Sequence, residues 1–131
     1  MPSVSTETVQ DVKDYGPVLE RTSVLEGYAV NFVTFREDSD ITAILASLSG
    51  GKCTCPHWGY LFTGEISVGY DTGVNETIEA GSAFYTPAGH TAFKVAAGTE
   101  MLMFSPADQL AEVEAAIKAV MQSASAGAPQ V

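Results

Sequence analysis

Apolar and polar residues alternate along much of the chain, in short stretches separated by Gly, Pro and Asp. Alternation with a period of two is typical of β-strands that bury one face. The predicted strands are 28–35, 41–48, 60–63, 65–70, 75–80, 83–86, 91–95 and 100–104. Frequent turns between short strands are typical of a sandwich or barrel, and about eight strands is a jelly-roll number. The pattern therefore predicts an all-β fold, a sandwich or a barrel with the strand number of a jelly roll.

The hydrophobic period changes to about 3.6 residues after the last predicted strand. Four apolar residues then share one face of a helix: Leu110, Val113, Ile117 and Val120. Ser105 can cap this helix, Pro106 suits its first position, and Asp108 lies in the first turn, where a negative charge complements the helix dipole. The pattern predicts one C-terminal amphipathic helix over residues 107–121, docked on the barrel or on a second subunit.

The two ends of the chain differ from its central part. Residues 1–20 are polar and mixed, with the breaker Gly16-Pro17, so residues 1–27 are expected to form an N-terminal arm. Residues 122–131 are rich in Ser, Ala, Gly and Pro, which predicts a disordered tail. With 131 residues, the chain has the length of one domain.

Charge and composition exclude several classes of function. The 16 acidic and 6 basic residues give a net charge of −10, which argues against a nucleic-acid partner. The sequence has no apolar run of about 18 residues and no signal-peptide pattern at its N-terminus, so we expect a cytoplasmic protein without a membrane partner. In that compartment, two cysteines two residues apart are more typical of reduced thiols or metal ligands than of a disulfide.

The residues with metal-ligand chemistry lie in two short segments. Residues 52–64 contain Cys53, Cys55 and His57, and residues 81–90 contain His90. A spacing of two places side chains on one face of an extended chain, although Pro56 interrupts this regularity. Either Cys53 or Cys55, together with His57 and His90, could hold a divalent metal, zinc first and iron second because thiolates favour zinc, with an open position for water or substrate. Cys55 with His57 is the preferred pair.

Two observations leave the metal hypothesis open. Cysteines are often buried as small hydrophobic residues, and a histidine beside a turn often only satisfies backbone groups. In a regular strand over 90–95, Thr91, Phe93 and Val95 share a face that looks like core, which would turn His90 outward. The alternatives are that the strand begins after His90, or that the mouth of the barrel accepts Lys94.

Aromatic and methionine side chains alternate along the predicted strands and could line an apolar pocket for a ring-bearing ligand. They are Tyr60, Phe62, Tyr85, Phe93, Met101 and Met103. Ordinary core packing is the alternative for this set. Trp58 could close the mouth of the pocket or anchor a homodimer, since aromatic residues are favoured at interfaces.

The segment Gly81-x5-Pro87-x-Gly89 resembles the second signature motif of the cupin superfamily, G-x5-P-x-G-x2-H-x3-N. The motif histidine is replaced by Ala92, and the nearest candidate is His90.

The first cupin motif, G-x5-H-x-H-x3/4-E-x6-G, can be anchored on Gly64. His57 then takes the place of the glutamate, and neither spacer length restores His-x-His. The resemblance covers residues 28–106, and it implies the cupin fold, an antiparallel jelly-roll β-barrel, with an atypical site.

The pattern Cys-Pro-His-Trp-Gly-Tyr followed by Pro-Ala-Gly-His resembles a group of small single-domain bacterial cupins with the pattern CPHWGY…PPGH. This resemblance implies a fold and a small-molecule pocket, but no particular reaction. Three hypotheses follow. The first is a metal-dependent enzyme, an isomerase, cyclase or oxygenase-like protein acting on a small organic molecule. The second is a metal-free ligand-binding or sensor cupin, and the third is an interaction module that dimerises through its arm and helix.

Overall fold

A computed structural model describes residues 3–45 and 51–127. Within these ranges the chain forms nine strands and two helices. The strands are β1 (Asp11–Asp14), β2 (Val18–Leu25), β3 (Tyr28–Phe35), β4 (His57–Thr63), β5 (Glu65–Tyr70), β6 (Asn75–Glu79), β7 (Ala83–Thr86), β8 (His90–Val95) and β9 (Thr99–Pro106). The helices are α1 (Thr42–Leu45) and α2 (Ala107–Gly127).

The strands form two antiparallel sheets, one of six strands in the order β1-β2-β3-β9-β4-β7 and one of three in the order β6-β5-β8. Inward side chains of both sheets make one core: Val33, Phe35, Leu61, Ile66, Val68, Ile78, Val95 and Met101. Strand β4 shows the period of two that underlies this packing, since His57 and Leu61 are buried while Trp58, Tyr60 and Phe62 are exposed. The predicted all-β jelly roll with one C-terminal helix is confirmed.

The expected N-terminal arm differs from the structure over residues 11–25, which form β1 and β2. Strand β2 pairs with β3 along its whole length, from Val18↔Phe35 to Leu25↔Tyr28. Glu26 and Gly27, both with positive φ, make the two-residue hairpin turn between them. Most side chains of β2 are half-buried, and half-buried positions accept polar residues. The sequence of β2 therefore lacks the apolar alternation by which a strand is predicted.

The strand predicted over 41–48 is wrong for residues 42–45, which form the single turn of α1. Asp40 Oδ1 accepts a hydrogen bond from the backbone N–H of Thr42 and so caps this turn. A short apolar run fits a buried strand and a buried helical turn equally well, which explains the error. The rest of the predicted strand, residues 46–48, lies outside the described residues.

Helix α2 packs its apolar stripe on the barrel, which is the first of the two alternatives predicted for it. Its residues Leu110 and Val113 form a second buried cluster with Ala29, Cys53 and Cys55. The helix begins at Ala107 and continues to Gly127. Residues 122–127, expected in the disordered tail, are therefore helical, and residues 128–131 lie outside the described ranges.

Candidate metal centre

Backbone pairing brings the two predicted ligand segments together. The N–H of Cys53 donates to the carbonyl of His90 at 2.9 Å, and the N–H of Gly89 donates to the carbonyl of Cys53 at 2.8 Å. Cys53 and His90 are thus opposite each other in a short antiparallel bridge. His57 is the first residue of β4, in the six-stranded sheet. The site therefore forms where the ends of the two sheets meet.

Three buried side chains converge there. One ligand atom from each of Cys53, His57 and His90 lies within 4.8 Å of the others. Cys53 Sγ is 3.7 Å from His57 Nε2, and the two imidazole rings are 4.9 Å apart at 69°. One sulfur and two nitrogen donors are a set that suits zinc, and three protein ligands leave a fourth position open. The residues present therefore fit a divalent metal ion.

A β-bulge explains how His90 faces inward. The register of β8 against β5 shifts by one residue at Phe93, which is left without a partner. The extra residue shifts the alternation of the strand, so that His90 before the bulge and Val95 after it both face the interior. His90 is 6% exposed and Val95 is 1% exposed. The alternation argument that would have turned His90 outward assumes a regular strand, and the bulge removes that assumption.

Hydrogen bonds fix the orientation of both imidazoles. His90 Nδ1 lies 2.7 Å from the carbonyl oxygen of Pro87. A carbonyl can only accept, so Nδ1 carries the proton and the neutral ring keeps its lone pair at Nε2. His57 Nδ1 lies 2.6 Å from the hydroxyl of Ser105, which leaves Nε2 directed at Cys53. Partners on the second ring nitrogen are typical of histidines that bind metals.

Burial keeps the cluster uncharged without a metal. It lowers the pKa of His57 to about 3, with a further contribution from His90. Burial also lowers the pKa of His90 and raises the pKa of the Cys53 thiol. Both imidazoles are therefore neutral and able to coordinate, whereas the thiol, which donates to the Cys55 carbonyl at 3.6 Å, must lose its proton to become a ligand.

Cys55 is not part of the converging group, so the expected pair of Cys55 and His57 is replaced by Cys53 and His57. Its side chain is fully buried and its thiol donates to the carbonyl of Pro56 at 3.5 Å. Burial and the neighbouring Cys53 raise the pKa of the Cys55 thiol to about 11, while a hydrogen bond to Ser105 acts in the opposite direction. Strand β4 begins only at His57, so the spacing of two does not place residues 53–57 on one face.

Two residues of the site were missed in the sequence. Ser105 was expected to cap the helix, but it lies in β9 with 1% exposure and contacts His57. Thr86 is the residue of β7 directly opposite His57 in the sheet register. The alternation of β9 could have indicated Ser105, since Thr99, Met101 and Ser105 are all buried at a spacing of two or four.

The predicted aromatic pocket does not line this site. Trp58, Tyr60, Phe62, Tyr85 and Phe93 are 37–50% exposed. The three residues from β4 lie on the opposite face of the sheet from His57. Met101 belongs to the core and Met103 packs against it, so for these two the alternative of core packing holds.

Two surface grooves lie elsewhere. One of about 250 Å³ is lined by residues that include Thr6, Phe32, Phe62 and Met101. The other, of about 220 Å³, lies between β1, β2 and α2. Neither groove is lined by the Cys/His cluster. Among the described residues, the structure also has no helix long and apolar enough to cross a bilayer.

Comparison with solved structures tests the fold. A protein of unknown function from Rhizobium leguminosarum bv. viciae 3841 aligns with a TM-score of 0.59 and 15% identity over 80% of this chain and 95% of the other. An RmlC-like cupin from Shewanella frigidimarina NCIMB 400 gives 0.54 and 18%, over 79% and 88%. The polyketide cyclase RemF from Streptomyces resistomycificus gives 0.55 and 14%, over 82% and 80%. No family profile and no curated protein sequence matches the chain.

The structure also explains the motif resemblance. The motif glycines Gly64, Gly81 and Gly89 all have positive φ, between 88° and 90°. Such backbone conformations favour glycine, so these positions mark turns of the fold whether or not the metal ligands between them are retained. At identities of 14–18% the structural likeness concerns the fold alone. The topology, the motif turns and these neighbours together show that the chain has the jelly-roll fold of the cupins.

Proposed function

We propose that this protein is a small-molecule cupin whose Cys53, His57 and His90 bind a divalent metal ion and use it in chemistry on a small organic substrate. The observation that carries this proposal is the convergence of three buried ligand atoms within 4.8 Å. Both imidazoles are held with one nitrogen free, and Cys53 supplies a soft donor. The gathering of three such groups at one buried point is explained if they coordinate an ion.

Zinc is the preferred ion because a thiolate and two imidazoles suit it better than they suit iron. A zinc ion there would polarise a substrate carbonyl or lower the pKa of a bound water. Isomerase and cyclase reactions need no change in the oxidation state of the metal, whereas an oxygenase-like reaction would require a redox-active metal such as iron. The cyclase RemF has a similar fold, which supports cyclisation as a chemistry compatible with this scaffold. This support comes from the fold alone and assigns no role to any residue of this chain.

The second candidate is a metal-free cupin that binds a small molecule as a sensor. Two observations favour it. The cluster is stable as a neutral thiol and two neutral imidazoles, since Cys53 already has a hydrogen-bond partner in the Cys55 carbonyl. In addition, neither of the two grooves described above reaches the cluster, so a small molecule bound in either groove would not contact Cys53, His57 or His90.

Elemental analysis of purified, untagged protein separates these candidates. We expect about one zinc per chain, and its loss in His57→Ala and in His90→Ala because each removes one of three ligands. Tyr60→Ala is the control, since Tyr60 is an exposed residue of the same strand on the opposite face. A wild-type protein that carries no stoichiometric metal and takes up none of zinc, iron, manganese or nickel would exclude the metal-dependent enzyme.

We also propose that the protein is a cytoplasmic homodimer that does not bind nucleic acid. Its outer sheet face carries neighbouring exposed aromatic residues, because Trp58 is opposite Phe104 on β9 and opposite Tyr85 on β7. Grouped exposed aromatic residues are typical of protein interfaces. The net charge of −10 opposes binding to phosphate backbones, and two free thiols suit a reducing compartment.

A further inference from the structure

We propose that the hydroxyl of Thr86 positions the bound ligand at the Cys53, His57 and His90 site, by hydrogen bonding to a ligand oxygen beside His57. This inference rests on the proposed metal site and adds a group that recognises what binds there. The ligand class it implies is a small molecule that presents a hydroxyl, carbonyl or carboxylate oxygen. A threonine hydroxyl can donate to each of these oxygens, and it can also accept from a ligand hydroxyl.

The first observation is the position of Thr86. It ends β7 and is paired with His57 of β4 in the antiparallel register. Directly opposite residues of paired strands point their side chains to the same face of the sheet, with Cβ atoms about 4.5–5.5 Å apart. Thr86 is therefore a neighbour of a proposed metal ligand on the interior face of the barrel.

The second observation is that the Thr86 hydroxyl is buried without a partner. Thr86 is 4% exposed, and its Oγ1 has no hydrogen bond within the described part of the chain. Buried hydroxyls normally find a partner, because leaving one unpaired is unfavourable. The other buried hydroxyls do so here: Ser23 with Gln10, Ser67 with Thr77, Thr99 with Glu65, and Ser105 with His57. A hydroxyl left free beside the site is available to a bound molecule.

Thr91 is the second unpaired buried hydroxyl, and its position makes it a matched control. In β8 it follows His90 directly, ahead of the bulge at Phe93. Adjacent residues of a strand point to opposite faces, so Thr91 faces away from the cluster that His90 enters. The two threonines thus share burial and the lack of a partner, but only Thr86 shares a face with a metal ligand.

Within the described part of the chain, three other polar groups next to the ligands are already engaged. The Ser105 hydroxyl contacts His57, and the Pro87 carbonyl accepts from His90. The Cys55 carbonyl accepts from Cys53. Among the residues that the structure describes, Thr86 therefore offers an unpaired hydroxyl to a molecule entering the open position.

The test uses cobalt(II)-loaded full-length protein with acetate as the probe, followed by the visible absorption of the cobalt. We expect Thr86→Val to weaken acetate binding about tenfold, the effect of losing one hydrogen bond. Cobalt affinity should stay unchanged, Thr86→Ser should bind acetate like wild type, and Thr91→Val should have no effect. Wild-type acetate affinity in Thr86→Val, or equal losses in Thr86→Val and Thr91→Val, overturns the proposal.

A second measurement works without any metal. Because the Thr86 hydroxyl is buried and unpaired, Thr86→Val should unfold at a higher urea concentration than wild type in metal-free protein. A lower midpoint would show that the hydroxyl has a structural partner, and this would overturn the role of Thr86. Failure of wild type to take up cobalt would instead contradict the metal site itself, so the two failures are distinguishable.

Discussion

His57 Nδ1 lies 2.6 Å from Ser105 Oγ, a hydrogen bond that joins the first residue of β4 to the end of β9. The bond occupies one ring nitrogen and leaves only Nε2 for Cys53 and a metal ion. Ser105 therefore orients the ligand without touching the ion. Outer hydrogen-bond partners of this kind commonly set the affinity of a metal site.

Replacing Ser105 by Ala should weaken zinc binding about 10–100-fold, because the His57 ring loses the partner that fixes its orientation. Competition with a chromophoric chelator measures this affinity. Ser67→Ala is the matched control, since Ser67 is also a buried serine but is bonded to Thr77 in the other sheet. Equal affinities of Ser105→Ala and wild type would contradict the role given to Ser105.

The two cysteines should behave differently as ligands. Cys53→Ala should abolish the sulfur-to-metal charge-transfer band of the cobalt(II) protein, because Cys53 supplies the sulfur of the cluster. Cys55→Ala should keep the band, although removing a fully buried thiol lowers stability by about 1 kcal/mol. Loss of the band in Cys55→Ala alone would show that the wrong thiol has been assigned.

Metal-free protein should lose stability as the pH falls below 6.5. Folding lowers the pKa of His57 from 6.5 to about 3, so the unfolded chain binds a proton in this window that the native state does not. Between pH 6.5 and 5 the loss from His57 is about 1.5 kcal/mol. His90, whose pKa burial also lowers, acts in the same direction.

Urea unfolding at pH 7 and pH 5 measures this dependence, and His57→Gln should flatten it. The comparison with the variant isolates the histidine, because Glu20, whose pKa burial raises, acts in the opposite sense in both proteins. The same slope in wild type and His57→Gln would argue that His57 is not buried in the native state.

Gly89→Ala should damage both stability and the metal site. Gly89 has φ of 90°, and an added Cβ would collide with the carboxylate of Asp71. Gly81→Ala is matched for φ, at 88°, but has open space around the added atom. We expect each variant to cost about 1 kcal/mol from its positive φ, because the exposed Asp71 side chain can move away from the Cβ added at Gly89. Zinc affinity should fall only in Gly89→Ala, because Gly89 donates to the Cys53 carbonyl and precedes His90.

The outer sheet face should hold the homodimer together. Trp58→Glu should convert a dimer into a monomer in sedimentation velocity, because a charge replaces an aromatic residue within the exposed group. Val74→Glu is the control, since Val74 is 58% exposed in the turn between β5 and β6. A wild-type protein that sediments as a monomer at micromolar concentration would contradict the dimer.

The sequence was most informative where its periodicity is regular. The alternation that buries Leu61 and exposes Tyr60, and the helical spacing of Leu110 and Val113, predicted the barrel and the docked helix correctly. These patterns reflect one buried face in each element, so they are visible without knowledge of the fold.

The errors arise where a single residue changes the local geometry. The extra residue at Phe93 turns His90 inward, and the irregular backbone before His57 brings Cys53 rather than Cys55 to the site. Bulges and strand starts depend on pairing with distant segments, so local sequence carries little signal for them. Thr86 was missed for a related reason, since its relation to His57 exists only in the register of β7 against β4.

The bridge between Cys53 and His90 has a consequence for how the barrel holds together. His57 belongs to the six-stranded sheet and His90 to the three-stranded sheet, so one coordinated ion would clamp the two walls at this end. Opening of the walls and release of the ion would then be the same motion. The N–H groups of Cys53 and Gly89 make the hydrogen bonds of the bridge between Cys53 and His90. Faster amide exchange at these two residues would therefore report the departure of the metal.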